Sequence, residues 1–319
     1  MRGDIALKKY IYVVIVLLIL IYNFDSFNVM AINGDIAYKH LLKFSSIGNR
    51  VFLTQSEINS RKYIKNVLKD LGYKVNVDKF DVDGHETENI EVNKKGRDSS
   101  KVVILGAHYD GRIEGNAFDD NGSGISILLE LCKVFRDINT TYDLKFIFFG
   151  AEEINLLGRG LHGSYNYVES LSDSEKERIK YMINLDTLVS GDNMYVYNVY
   201  KDERIEETDN LFLEKLTEIA QNMEIDIKVN SRDGENVSFT NTKSDYYPFF
   251  ESGIPVLYFE STNWNAGEND GRTQTEMFGR IIHTPMDNMN FLENFFDNRI
   301  KERLTNYVSL IKEFILNGI

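Results

Sequence analysis

The 319-residue sequence has one cysteine, Cys132. A single thiol cannot form an intramolecular disulfide or build a thiolate zinc cluster, so any metal here must be bound by histidine and carboxylate. Cys132 lies in the apolar stretch ISILLELCKVF, where cysteine serves as a small buried hydrophobe rather than a nucleophile. Proline is also scarce, with three residues, while 43% of the chain is apolar and 12% aromatic. That composition excludes disorder and provides for a sizeable core. Net positive charge is missing, the formal charge being −13. Nucleic acid is therefore not an expected partner, because a phosphate backbone is bound through clustered Lys and Arg. An acidic chain does tolerate a substrate that carries a free ammonium group.

One uninterrupted apolar run stands at residues 10–22, YIYVVIVLLILIY, behind Lys8 and Lys9 and ahead of Asn23 and Asp25. A basic stretch followed by an apolar one marks export. The run is short of the roughly 20 residues of a bilayer span, and Val29 and Ala31 offer small residues before a cut after Ala31. Residues 1–31 are expected to be a signal peptide or signal anchor. The protein would then be extracytoplasmic, secreted or membrane-anchored, and would meet a membrane only through this segment. No repeat or Gly/Pro-rich linker divides residues 32–319, which are expected to form a single domain.

Residues 35–46 and 57–71 read as amphipathic helices, and Gly72 stops the second ahead of the strand-like YKVNVDKFDV and NIEVNKKG. Four apolar runs then end in polar residues: KVVILGAHYD, LKFIFFGAEE, YMINLDTL and IPVLYFES. Such runs fit strands buried on both faces, and the helical ISILLELCKVF between the first two implies a mostly parallel sheet with helices on either side. Residues 290–317 read as a long closing helix. In such sheets ligands bind beyond the carboxyl ends of strands, where His108, Asp110, Glu152, Glu153 and Asp186 all fall.

Two of the five histidines sit in tight polar contexts, His108 in AHYD and His283 in HTPMDN, whereas His40, His85 and His162 read as surface or structural residues. Asp119 and Asp120 precede NGSG, a flexible turn that opens a helix which Asn121 or Ser123 could cap unaided. Glu152 and Glu153 follow four consecutive apolar residues, Phe146–Phe149, and Asp186 closes YMINLD. Acids in such places need cations, since an unpaired buried carboxylate is costly. Asp110, two residues beyond His108, is placed to accept the outer imidazole N–H and so fix its tautomer.

GAHYD, FDDNGSG, FFGAEEINLLG, INLDT and HTPMDN, in this order, resemble the clan MH aminopeptidases with paired zinc ions, over roughly residues 35–315. The resemblance implies a three-layer αβα zinc-exopeptidase fold (phosphorylase/hydrolase-like) with a mixed, mostly parallel central sheet. It implies two Zn2+ ions, one held by His108 and Asp186, the other by Glu153 and His283, with Asp120 bridging and Glu152 as general base. A cis peptide after Asp120 is a further expectation. The implied activity is hydrolysis of N-terminal residues from peptides or proteins.

Two departures from the family pattern bear on substrate handling. Ile282 stands where relatives place a tyrosine before the last histidine, and Tyr246 replaces the histidine of an SDH segment. Tyr246 or Tyr247 could supply the missing hydroxyl or could simply wall the pocket. The polar loop 261–282 is expected to form a wall on the substrate side. A glutaminyl-cyclase-like acyltransferase, a carboxypeptidase using Arg112, Arg159, Arg232 or Arg272, and a non-catalytic ectodomain are the alternatives.

Overall fold

The computed structural model describes residues 34–153, 158–200, 207–231 and 237–318. The expected export segment lies outside the described residues. Among those described, no helix is long and apolar enough to cross a membrane.

Helices α1 (Asp35–Ile47) and α2 (Gln55–Asp70) open the described chain. The second begins two residues before the sequence suggests, because Thr54 caps it by accepting the Glu57 backbone N–H. Ten strands follow in chain order: β1 (Asn76–Val82), β2 (His85–Lys94), β3 (Asp98–His108), β4 (Tyr142–Phe149), β5 (Ile179–Leu185), β6 (Asn193–Tyr197), β7 (Val199–Tyr200), β8 (Ile227–Lys228), β9 (Phe239–Thr240) and β10 (Val256–Thr262). Interleaved with them are α3 (Gly122–Phe135), α4 (His162–Ser170), α5 (Asp173–Arg178), α6 (Glu207–Asn222) and α7 (Tyr246–Glu251), and α8 (Met289–Asn317) closes the chain.

Eight strands form one sheet in the order β1-β2-β4-β3-β5-β10-β6-β8, while β7 and β9 pair separately. The centre is parallel, β4 with β3, β3 with β5 and β5 with β10. The hairpin β1-β2, its junction with β4, and the β10-β6 pair are antiparallel. The sheet is therefore mixed and mostly parallel, as expected.

Side-chain alternation divides the core into two layers. On one face Ile104, Ile147, Phe149, Met182, Val256 and Tyr258 pack with Tyr167 and Val168 of α4 and Phe249 of α7. On the other, Phe146 meets Phe135 of α3, and Tyr181 and Phe259 meet Phe314 and Tyr307 of α8. Helix α8 is kinked, with Phe296 at φ −137°.

The apolar run LKFIFFGAEE ends as a strand at Phe149, not at the glutamates. Ala151, at φ 56°, turns the chain so that Glu152 and Glu153 hang beyond the sheet edge. His108 is the last residue of β3, level with Phe149, and Asp186 directly follows β5. Three neighbouring parallel strands thus deliver their polar ends to one place.

Candidate metal centre

At the carboxyl edge of the sheet two groups of side chains converge, His108 with Glu152 and Asp186, and Asp120 with Glu153 and His283. Within each group the potential ligand atoms lie within 4.8 Å of one another. Asp120 stands between the histidines: its Oδ1 is 3.3 Å from His108 Nε2 and its Oδ2 is 2.8 Å from His283 Nε2. Asp186 Oδ1 lies 3.4 Å and Glu152 Oε2 3.9 Å from His108 Nε2, and Glu153 Oε1 lies 3.5 Å from His283 Nε2. All six residues expected at the centre, Asp110 aside, therefore come together.

Asp110 stands behind His108 as a charge and not as its hydrogen-bond acceptor. Its Oδ1 is 3.7 Å from His108 Nδ1, beyond hydrogen-bond range. Its two oxygens instead accept the backbone N–H groups of Glu152 and Glu153, each at 3.0 Å. A single wholly buried carboxylate thereby ties the end of β3 to the turn after β4, while its charge still lies behind the imidazole.

The same device recurs at two acids whose roles the sequence did not reveal. Asp119 accepts the backbone N–H groups of Leu188, Val189 and Ser190 at 2.8–2.9 Å, which orders the chain just after Asp186. Asp287, within the HTPMDN block, accepts those of Asp119 and Asp120 at 2.7 and 3.2 Å. Ser244 donates to Asp186 Oδ2 at 2.7 Å and is itself held by Asn184. Asn121 caps α3 by accepting the Gly124 N–H and donates to Leu185 O at 2.8 Å. A Cβ on Gly124 would collide with Asn121 and Leu185 O, so this helix start requires glycine. The Asp120–Asn121 peptide is cis.

Strained backbone gathers around the centre. Ala117, Ala151, Leu161, Thr187 and His283 all have φ between 50° and 61°, a region that non-glycine residues avoid at about 1–3 kcal/mol each. Sequence composition offers no sign of this, since none of the five is a glycine.

Electrostatically the centre is a concentration of buried acid. Burial lowers the proton affinity of His108, but Glu152, Asp186, Asp110 and Asp120 outweigh it and hold the ring well above its ordinary value. Burial likewise acts against His283, and Asp120 and Glu153 outweigh it to raise the ring to about 10. Burial pushes Glu152 well upward against the pull of His108, and Glu153 up to about 7 with Asp120 adding to the rise. Asp245, wholly buried, is raised to about 7 by burial, with His108 opposing. Such a cluster calls for cations. Both ring nitrogens of His108 and Oε1 of Glu153 are buried without a hydrogen-bond partner, which suits them to a metal.

The centre opens into a cavity of about 280 Å³ lined by Arg112, Leu161, Thr187, Thr242, Lys243, Tyr258, Glu260 and Ile282 beside the converging residues. Neither Tyr246 nor Tyr247 lines the cavity. Tyr246 turns away, is 1% exposed, donates to Thr242 O and stacks on Tyr258, so its hydroxyl is committed elsewhere. Of loop 261–282 only Ile282 reaches the cavity, because Trp264 packs inward and donates to the Tyr197 hydroxyl at 2.8 Å. Among the arginines, Arg112 lines the cavity, Arg159 pairs with Asp83 at 2.8 Å, Arg272 lies near Asp270 at 3.7 Å, and Arg232 falls outside the described residues. Glu260 was legible only as an acid within a buried strand, which is the signal that could have found it.

Residues 89–308 match the profile of "Peptidase family M28". The "Alkaline phosphatase isozyme conversion protein" of Escherichia coli (strain K12) is 26% identical over 85% of this chain and 86% of its own. "Aminopeptidase YwaD" of Bacillus subtilis (strain 168) is 28% identical over 68% of this chain but 41% of its own, so the chain spans under half of that relative. Among solved structures, BSAP, a zinc aminopeptidase from Bacillus subtilis, superposes with a TM-score of 0.69 at 18% identity, covering 89% of this chain and 96% of that one. Glutaminyl cyclases share the fold at a similar level.

Proposed function

The chain belongs to peptidase family M28, and from that premise we propose that it is a zinc-dependent aminopeptidase that removes N-terminal residues from peptides or proteins. The carrying observation is the place of Asp120, one oxygen toward each histidine. On this reading His108 and Asp186 hold one zinc, Glu153 and His283 hold the other, and Asp120 serves both. Imidazole and carboxylate are the donors zinc takes when thiolate is lacking, and the unpartnered nitrogens of His108 and Oε1 of Glu153 fit that use. The basic and then apolar segment ahead of Ala31 supports an extracytoplasmic location.

When bound, the ion pair supplies Lewis acidity at the scissile carbonyl and lowers the pKa of water. Glu152 takes the proton of the attacking water and delivers it to the leaving amine. Burial raises the proton affinity of this carboxyl well above its ordinary value, against the pull of His108. Asp110 positions Glu152 and Glu153 through their backbone N–H groups. The surrounding acids receive the free amine of the substrate.

Chelation should abolish hydrolysis of a small aminoacyl amide and zinc should restore it, with metal analysis approaching two ions per chain. Glu152→Gln should keep the metal and lose turnover; wild-type rates in that variant would sink the mechanism. The shared fold also admits glutaminyl cyclisation. An N-terminal glutaminyl peptide separates the two readings, since release of free glutamine supports hydrolysis and a pyroglutamyl product supports the cyclase.

A further inference from the structure

On strand β10 the alternation Val256, Tyr258, Glu260 places a glutamate where an apolar side chain would continue the core. Glu260 is 2% exposed, yet it lines the cavity beside Asp120 and Asp186. The Tyr197 hydroxyl, which accepts the Trp264 indole N–H at 2.8 Å, lies near the Glu260 carboxyl. Oε2 has no hydrogen-bond partner. Among the described residues Glu260 also has no ion-pair partner. Lys243, on the same cavity wall, rests 3.6 Å from the Tyr247 ring centroid and 5.2 Å from that of Tyr200. Arg112 lies instead against Glu114 and Glu153, at 3.3 and 3.9 Å.

A buried acid without a cation is costly, and it becomes favourable when a cation arrives to pair with it. The cavity also offers the Tyr258 ring to the aliphatic stem that Lys and Arg carry beneath their charge. We propose that Glu260 is a specificity-determining residue, whose carboxylate binds the side-chain cation of an N-terminal lysyl or arginyl residue. This inference rests on the aminopeptidase reading, with the free amine held among the acids of the centre and the side chain extending to Glu260. The preferred substrates are then peptides with a basic first residue.

The test compares lysyl and norleucyl 4-nitroanilides, whose side chains differ chiefly in the terminal ammonium. The zinc-loaded wild-type protein should favour the lysyl substrate about tenfold to a hundredfold in kcat/KM, the range of one charge-assisted hydrogen bond. In Glu260→Gln the ratio should collapse to about one. The ratio is taken within each preparation, so a loss of folded fraction in the variant cancels. A wild-type ratio near one, or a preference that survives in Glu260→Gln, overturns the proposal. If wild type cleaves neither substrate, it is the aminopeptidase reading that fails. Calorimetric binding of lysinamide against norleucinamide then decides the Glu260 site by itself: tighter lysinamide binding that is lost in Glu260→Gln supports it, and equal binding overturns it.

Discussion

The two histidines of the centre have opposite surroundings. His108 is buried, and the charge behind its Nδ1 is the carboxylate of Asp110. His283 is about a quarter exposed, and its Nδ1 faces the guanidinium of Arg280 at 2.7 Å. A guanidinium only donates, so Arg280 opposes a proton on the Nδ1 of His283, whereas Asp120 holds the proton on Nε2, which donates to it. At His108 an anion behind Nδ1 favours the proton there, so the Nε2 proton is the one a metal displaces. His108 can thus take a metal at Nε2 with its Nδ1 proton left in place. His283 must first exchange its proton and release Arg280. The difference teaches that a site pseudo-symmetric in residue types is unequal in readiness.

The largest expected effect lies at the His108 end. Glu152 stands beside His108, and Glu152→Gln should lower kcat by about 10²–10⁴-fold without loss of zinc. Equal loss of metal and activity would mean that Glu152 serves as a ligand instead. Asp110→Asn comes next. The amide keeps one acceptor where two backbone N–H groups need one each, and it removes the anion behind His108. About 10- to 100-fold should be lost in metal affinity or activity. Stepwise chelation followed by metal analysis should then show the ion at the His283 end leaving first. Arg280→Ala should narrow the gap between the two release steps severalfold, and an unchanged gap would show that Arg280 does not oppose the metal.

The five blocks were legible because the elements that carry them are strongly patterned. Apolar strands ending at His108 and Asp186, and a glycine-bearing helix start after Asp120, leave few alternatives for where the polar groups gather. The wiring between the blocks was not legible. Asp119 and Asp287 act through backbone N–H groups distant in sequence, which no local pattern records. The positive φ of Ala151 and Thr187 depends on the packing around the edge rather than on residue type. The role of Tyr246 stayed open in the sequence for a related reason. A tyrosine near a site suggests a free hydroxyl, but here the ring stacks on Tyr258 and its hydroxyl is consumed by Thr242 O.

His40 provides the control for the comparison, because it is a mostly buried histidine far from the acids of the centre. Its Nδ1 meets the Tyr63 hydroxyl at 2.7 Å. Burial, with Lys133 adding to it, lowers the ring from 6.5 to about 4. A depressed folded pKa means that the unfolded chain binds the proton more readily. The stability from keeping His40 neutral is therefore full above pH 6.5 and is lost as pH falls toward 4. The slope has a ceiling of about 1.4 kcal/mol per pH unit, and partial exposure of the side chain reduces it. Thermal melts of the wild type and His40→Gln across this window should diverge at neutral pH and converge in acid. Parallel curves would show that His40 is solvated and does not set acid stability. The smallest of the four effects, this one separates what burial alone does to a histidine from what the carboxylates of the centre do to His108 and His283.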